Sequence, residues 1–587
     1  MRPAPLAPLF LLLALPVLAQ TQSTPSLSVT TRLVTVDVVV RDHGQPVRGL
    51  DQHNFTVFED GHPQSIAFFE PHSDAASLSI QGQAPHAPSL PPGTFTNLPV
   101  THVTDSVTVL LLDGLNTEAA DQLYVRREMI RYLKNLPPGR RIAVFTLGDQ
   151  LRLLQGFTDD AAILLAAVTS KQSTPLTSMR APGNQTLEER AALDAMADAH
   201  VSPLTIDAYT NFMSETDAAE DSQRIGITLE AMQQLARYLG GIPGRKNLVW
   251  FSGSFPLQFF ATERNPFHGD NNGQPLPVRD FNDLLRNTID LFTAARVAVY
   301  PVDARGVLTE SIFSAAEQGD YARVVHGSAV GALRAAQDSA MLAAQRVADH
   351  GTMDELAQQT GGRAVYDDNG LSEAFADALS DGSNFYTLAY IPANGHFDGR
   401  LRHIEIRVDQ PGVRLDYRHS YYADDRSMPI EGGPDRQRKV FYAAMVRGVP
   451  PATQIVFEAR ITPLASASAR SGKAPLDRYA VDFAIDPRAV DLPAAASGVR
   501  KGQLLIASGV WNRDGKLLRS AASLHPLALS PAQMRVADQS GLQCHTEVEA
   551  PAGDVYLRLG VYDPASGHMG TLEIPLAAAL KATGPGN

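Results

Sequence analysis

The sequence is poor in cysteine: among 587 residues only Cys544 carries a thiol. An intramolecular disulfide is therefore excluded, as is a zinc cluster built from several cysteines of one chain. Positive charge is also short. Lys and Arg number 50 against 63 Asp and Glu, a net charge of −13. That balance excludes a general electrostatic binder of nucleic acid or of anionic membrane, both of which need a basic footprint. Long apolar runs are missing too. Past the first 20 residues nothing approaches the ~18 apolar residues of a membrane span. Several chemical signatures are absent: a Gly-x-Ser-x-Gly nucleophile turn, a His-Glu-x-x-His zinc helix, and the upstream glycine that would make Gly472-Lys473 a phosphate loop.

What is present begins with an address. Arg2 precedes the apolar stretch Leu9–Leu15, and Val17-Leu18-Ala19 offers a cleavage site. Even extended to Ala19, at about 11 residues, the stretch is too short to span a bilayer, so residues 1–20 read as a secretory signal peptide and the mature protein as periplasmic or secreted. Cores alone must then stabilise the chain, and 44% hydrophobic residues supply them.

The pattern divides the remainder. Residues 27–72 alternate as a small β domain, with Ser28–Asp42, Phe55–Glu59 and Gln64–Glu70 as strands. Residues 73–104, rich in Pro, Ser, Gly and Gln, read as a linker. From Val107 the rhythm becomes strand, helix, strand. Val107–Asp113, Arg140–Leu147, Lys246–Gly253 and Val297–Asp303 read as apolar strands, and Thr228–Leu239 is an amphipathic helix closed by Gly240–Gly244. This predicts a doubly wound α/β domain over 105–382, with polar or Ala-rich insertions at 170–223 and 306–350. A β segment (383–425) and a β-sandwich-like domain (430–587) follow.

Val107–Thr117, Thr228–Ser254 and Ala298–Asp303 carry, in order and spacing, a resemblance to the von Willebrand factor type A (VWA) domain. The whole chain resembles the VWFA-related proteins described in Acidobacteria. The resemblance implies a Rossmann-like fold with its ligand site at the carboxyl ends of the strands. It also implies a metal-ion-dependent adhesion site, opened by Asp-x-Ser-x-Ser after the first strand. Here that segment is Asp113-Gly114-Leu115-Asn116-Thr117. Asp113 and Thr117 match its ends, and Thr228 matches the threonine that opens the later helix. Leu115 replaces a ligating serine, and Ser252 stands where a carboxylate is expected. The implied metal ligands are thus Asp113, Thr117, Thr228 and Ser252, the ion Mg²⁺, and the site a degenerate one, with no enzymatic activity.

Two readings stand side by side. In one, a weak Mg²⁺ site is completed by an acidic side chain of a protein partner. In the other, Asp113 caps the helix that follows, with Thr117 in its first turn, and Asn116 is a further polar participant. Asp303, ending a strand on the same sheet edge, either supports the metal ligands from behind or caps its own loop. His268 and Asp270 lie in a polar loop that lacks EF-hand spacing. Arg245-Lys246 caps the preceding helix. The function expected is that of a protein-binding protein. A structural envelope component and a hydrolase with an unrecognised site are the alternatives.

Overall fold

Every residue of Val107–Asp113 (β1) is buried, so both faces of this strand have to be covered. The computed structural model describes residues 33–73, 90–98, 106–137, 139–170, 173–174, 177–179, 192–193, 195–196, 199–255, 281–306, 329–367, 370–423, 433–464, 476–495 and 497–577. The signal segment and the loop of His268 and Asp270 lie outside them.

Four more strands join β1: Arg141–Leu147 (β2), Leu151–Thr158 (β3), Lys246–Ser252 (β4) and Val297–Asp303 (β5). The order is β5-β4-β1-β2-β3, parallel throughout except for β3, which returns antiparallel beside β2. The helices are Ala119–Leu133 (α1), Ala161–Thr169 (α2), Pro203–Leu239 (α3), Asn282–Ala294 (α4), Ala329–Thr360 (α5) and Leu371–Ser383 (α6). Alternation along the strands assigns the faces. Val107, Val109, Leu111, Leu248 and Trp250 pack under α3, α4 and α5. Leu110, Leu112, Val144, Val249 and Phe251 pack under α1, α2 and α6.

The helix expected at 228–239 is the last third of α3. It starts 25 residues earlier, at Pro203, inside the segment expected as an insertion. Ser202 caps it, accepting from the Thr205 amide at 3.3 Å, and Pro203 sits in its first turn.

The described residues form five sheets in all, so the molecule is β-rich around this middle layer. The segments expected as separate parts, 27–72 and 383–425, share two of them. Val34–Asp42 pairs with Phe385–Tyr390, and Phe55–Glu59 pairs with Leu401–Val408. Val36, Val38, Val57, Leu388, Ile404 and Ile406 close one core between these sheets. Each segment alone has a half-covered apolar face, and pairing covers both.

Part of the expected linker is likewise structural. Thr94–Thr96 adds a strand to Phe457–Leu464, in the sandwich built from residues 457–575. Asn97 fixes it there, donating to the Ala452 and Ile455 carbonyls at 2.9 Å and accepting from the Phe457 amide at 2.9 Å. One short polar side chain replaces three strand-type bonds, a device that composition does not reveal.

Side chains join the layers. Asp37, on the first β unit, accepts from Arg296 Nε at 3.2 Å and from the Thr387 hydroxyl at 2.8 Å. Arg245, expected to cap α3, instead crosses to Tyr300 Oη (3.1 Å) and the Gly361 carbonyl (2.8 Å). Lys246 does reach back, to the Ile242 carbonyl at 2.5 Å. Thr453, leading into the last sandwich, donates to the Tyr238 carbonyl at 2.8 Å and accepts from the Gly241 amide at 2.7 Å.

Candidate functional site

The parallel strands β1, β4 and β5 end side by side in Asp113, Ser252 and Asp303, because Phe251 registers with Leu112 and Ser252 with Asp303. All three polar ends are buried, with Asp113 only 2% exposed. A carboxylate buried that deeply needs donors. The turn after β1 brings the amides of Leu115 and Asn116 to Oδ1, at 3.1 and 3.0 Å. Oδ2 receives Asn116 Nδ2 at 2.7 Å, Ser252 Oγ at 2.9 Å and Trp250 Nε1 at 3.0 Å. Burial pushes the Asp113 carboxyl above its ordinary range, and the bonds from Asn116, Ser252 and Trp250 oppose that rise.

The other expected residues gather around this acid. Thr228 lies in the middle of α3. Its hydroxyl donates to the Arg224 carbonyl at 2.9 Å and accepts from Asn116 Nδ2 at 3.0 Å. Thr117 Oγ1 accepts from the Gly253 amide at 2.9 Å. Gly253 leaves room for that approach: a Cβ there would stand 3.2 Å from Thr117 Cα and 3.3 Å from the Asn116 carbonyl oxygen. The fold thus brings Asp113, Thr117, Thr228 and Ser252 to one place, with Asn116 as the link between β1 and α3. Leu115, at the position of a serine in the adhesion-site pattern, turns into the core under α3.

Two participants escaped the sequence reading. Trp250 looked like core, and its ring is core, but its indole N–H is a donor. Arg224 sits one turn before Thr228 on α3 and donates from Nη1 to the Leu115 carbonyl at 2.5 Å. An i, i+4 relation to Thr228 on an amphipathic helix was the available signal for Arg224.

A magnesium ion takes about six oxygens in near-octahedral array. The residues implied as its ligands do not fit it as they are arranged. The Asp113 carboxylate has about four acceptor sites and already faces four N–H donors, besides the Ser252 hydroxyl, whose one proton also has the Ser254 carbonyl within 2.7 Å. Thr117 and Thr228 have each committed a lone pair to an N–H. The neighbouring cavity, lined by Asp113, Thr117 and Gln122, measures about 10 Å³, the room of a single water. Among the described residues no three His, Cys, Asp or Glu side chains converge as a metal site.

Beside this centre the same sheet edge carries a second group. Asp303 caps its own loop, accepting from the Arg305 amide at 2.9 Å, and binds the Arg305 guanidinium at 2.7 Å. Arg305 also pairs with Asp349 at 3.1 Å, and His350 Nε2 lies 3.2 Å from Asp303 Oδ2. Burial, eased by Arg305 and reinforced by Asp303, pushes Asp349 up to about 7. On the first turn of α1, burial, Glu118 and Asp303 push Asp121 up to about 6. A separate cavity of about 430 Å³, lined by Asp354, Arg363, Tyr366, Asp377, Arg414 and Asp416, shares no residue with either group.

No family model matches the chain, and no curated protein matches it. Among solved structures, the PilB minor pilin from Streptococcus sanguinis aligns over 48% of this chain and 61% of its own, at 8% identity and a TM-score of 0.21. The pilus adhesin SpaC from Lactobacillus rhamnosus GG aligns over 90% of this chain and 58% of its own, at 8% identity and a TM-score of 0.24. The SpRpn10 VWA domain aligns over 31% of this chain and 94% of its own, at 13% identity and a TM-score of 0.13. This chain therefore spans less than two thirds of the two pilus proteins. No helix among the described residues is long and apolar enough to cross a membrane.

Proposed function

We propose that the chain is a secreted or periplasmic binding protein whose middle layer is a VWA-like domain, and that the carboxyl edge of its sheet receives a protein partner. The observation that carries this reading is the gathering of Glu118, Asp121, Asp303 and Asp349 at one strand-end edge, where burial together with Glu118 and Asp303 raises Asp121, and burial together with Asp303 raises Asp349. Perturbed carboxylates at the carboxyl ends of parallel strands mark the usual ligand position of an open α/β sheet. The exposed Glu118 and half-buried Asp121 give this edge its acidic face. The partner segment is accordingly basic, presenting Lys or Arg, which revises the acidic partner expected from a metal-completed site.

The test uses the mature chain immobilised against envelope proteins, beside a Glu118→Lys, Asp121→Lys double variant of equal thermal stability. A partner held by the wild type and lost, or weakened ~10-fold or more, on the charge-reversed chain supports the reading. A partner held equally by both chains overturns it.

A further inference from the structure

We infer that the side-chain amide of Asn116 takes the place of a cation at the strand-end centre, making that centre a metal-independent lock between β1 and α3. Asn116 Nδ2 stands 2.7 Å from Asp113 Oδ2 and 3.0 Å from Thr228 Oγ1. These two oxygens belong to elements 115 residues apart, and both present lone pairs to the same point. Something electropositive must sit there, since two acceptors facing each other without a donor repel. The orientation of the amide follows from its partners. The Thr228 proton is spent on the Arg224 carbonyl, so Thr228 Oγ1 can only accept from this side. Turning the amide over would set its oxygen against the Asp113 carboxylate.

The orientation has a visible cost. Asn116 is wholly buried, and its Oδ1 has no hydrogen-bond partner. An orphaned buried oxygen is tolerated only where the other end of the amide is needed more. That lone neutral oxygen does not amount to a coordination sphere for a hard divalent ion. The Ser252 hydroxyl can turn its proton to the Ser254 carbonyl, 2.7 Å away, but the remaining N–H donors to Asp113 cannot swing aside. The Trp250 indole is held by the core against Phe255, with ring centroids 4.7 Å apart, and the Leu115 and Asn116 amides are backbone. A cation entering would have to displace the amide and still confront those N–H groups.

This inference concerns the same edge as the proposed function but needs no partner, so the two fail separately. Purified mature protein is titrated with Mn²⁺ and with Mg²⁺ by calorimetry, and its melting temperature is followed in EDTA and in each metal. The wild type is expected to show no one-to-one binding and no metal-dependent shift. Asn116→Asp, which keeps the shape but sets a second carboxylate beside Asp113, is expected to melt several degrees lower in EDTA and to recover with either metal. If Asn116→Asp does not fold, Asn116→Ser, which vacates the position without adding charge, is read in its place. One-to-one binding by the wild type that disappears in Asp113→Asn overturns the inference. Melting of the Asn116 variant that is indifferent to metal overturns it as well.

Discussion

The indole N–H of Trp250 meets Asp113 Oδ2 at 3.0 Å, joining the core face of β4 to the polar end of β1. A hydrogen bond to a buried carboxylate contributes about 1.5–3 kcal/mol. Trp250→Phe and Asp113→Asn, alone and combined, should therefore couple by about 1–3 kcal/mol in urea unfolding. Effects that simply add would show that the contact stabilises nothing.

Gly253 and Gly226 make opposite predictions. Gly253→Ala pushes a methyl against the Thr117 and Asn116 backbone, which cannot rotate away, and should cost about 1–3 kcal/mol. Gly226 lies inside α3 with nothing within 4 Å of its would-be Cβ, so Gly226→Ala should stabilise by about 0.5–1 kcal/mol. Melting curves of the two variants should move apart from the wild type in opposite directions.

Asp349 and Asp121 set a pH dependence of stability. Their carboxyls are pushed up to about 7 and about 6 from an ordinary 3.8. The folded chain then holds protons that the unfolded chain has released. Their contribution is full below about pH 4 and is lost as pH rises toward about 7. Asp349→Asn should flatten that decline. Unfolding free energies measured across this window would reject the assignment if the two curves ran parallel.

Asp37 behaves in the opposite sense. Burial raises its carboxyl, but Arg296 more than compensates and holds it below the ordinary range. Its contribution is present above about pH 4 and is lost as pH falls through the lowered value. Arg296→Ala removes the main partner of this carboxylate, leaving it the Thr387 hydroxyl and the nearby charge of Arg245, and should cost about 1.5–3 kcal/mol. Limited proteolysis should then cut within 33–73 faster than in the wild type.

The strands of the middle layer were legible because both of their faces are apolar, and that pattern needs no knowledge of neighbours. The run Val107–Asp113 is strand from end to end. Legibility stopped where distant segments meet. Val36 opposite Leu388 looks like any half-buried valine until its partner is known. Phe95 sits in a Pro- and Gly-rich stretch whose composition says linker, although three residues suffice to extend a sheet. At the candidate site the sequence named four oxygen-bearing residues that the fold brings together, but not the N–H groups that meet them. Motif matching counts ligands, whereas the Trp250 N–H and the Asn116 amide are set by which side chains the folded sheet aims at Asp113.

The sharing of sheets between residues 34–72 and 385–422 constrains the order of assembly. The leading β unit cannot close until its second half has been synthesised, after the whole middle layer has emerged. Its early strands must wait with open edges, exposed to wrong pairing, while the later layer folds first. A truncation ending before Phe385 would therefore lose its beginning as well as its end, with residues 34–72 left unpaired and open to aggregation.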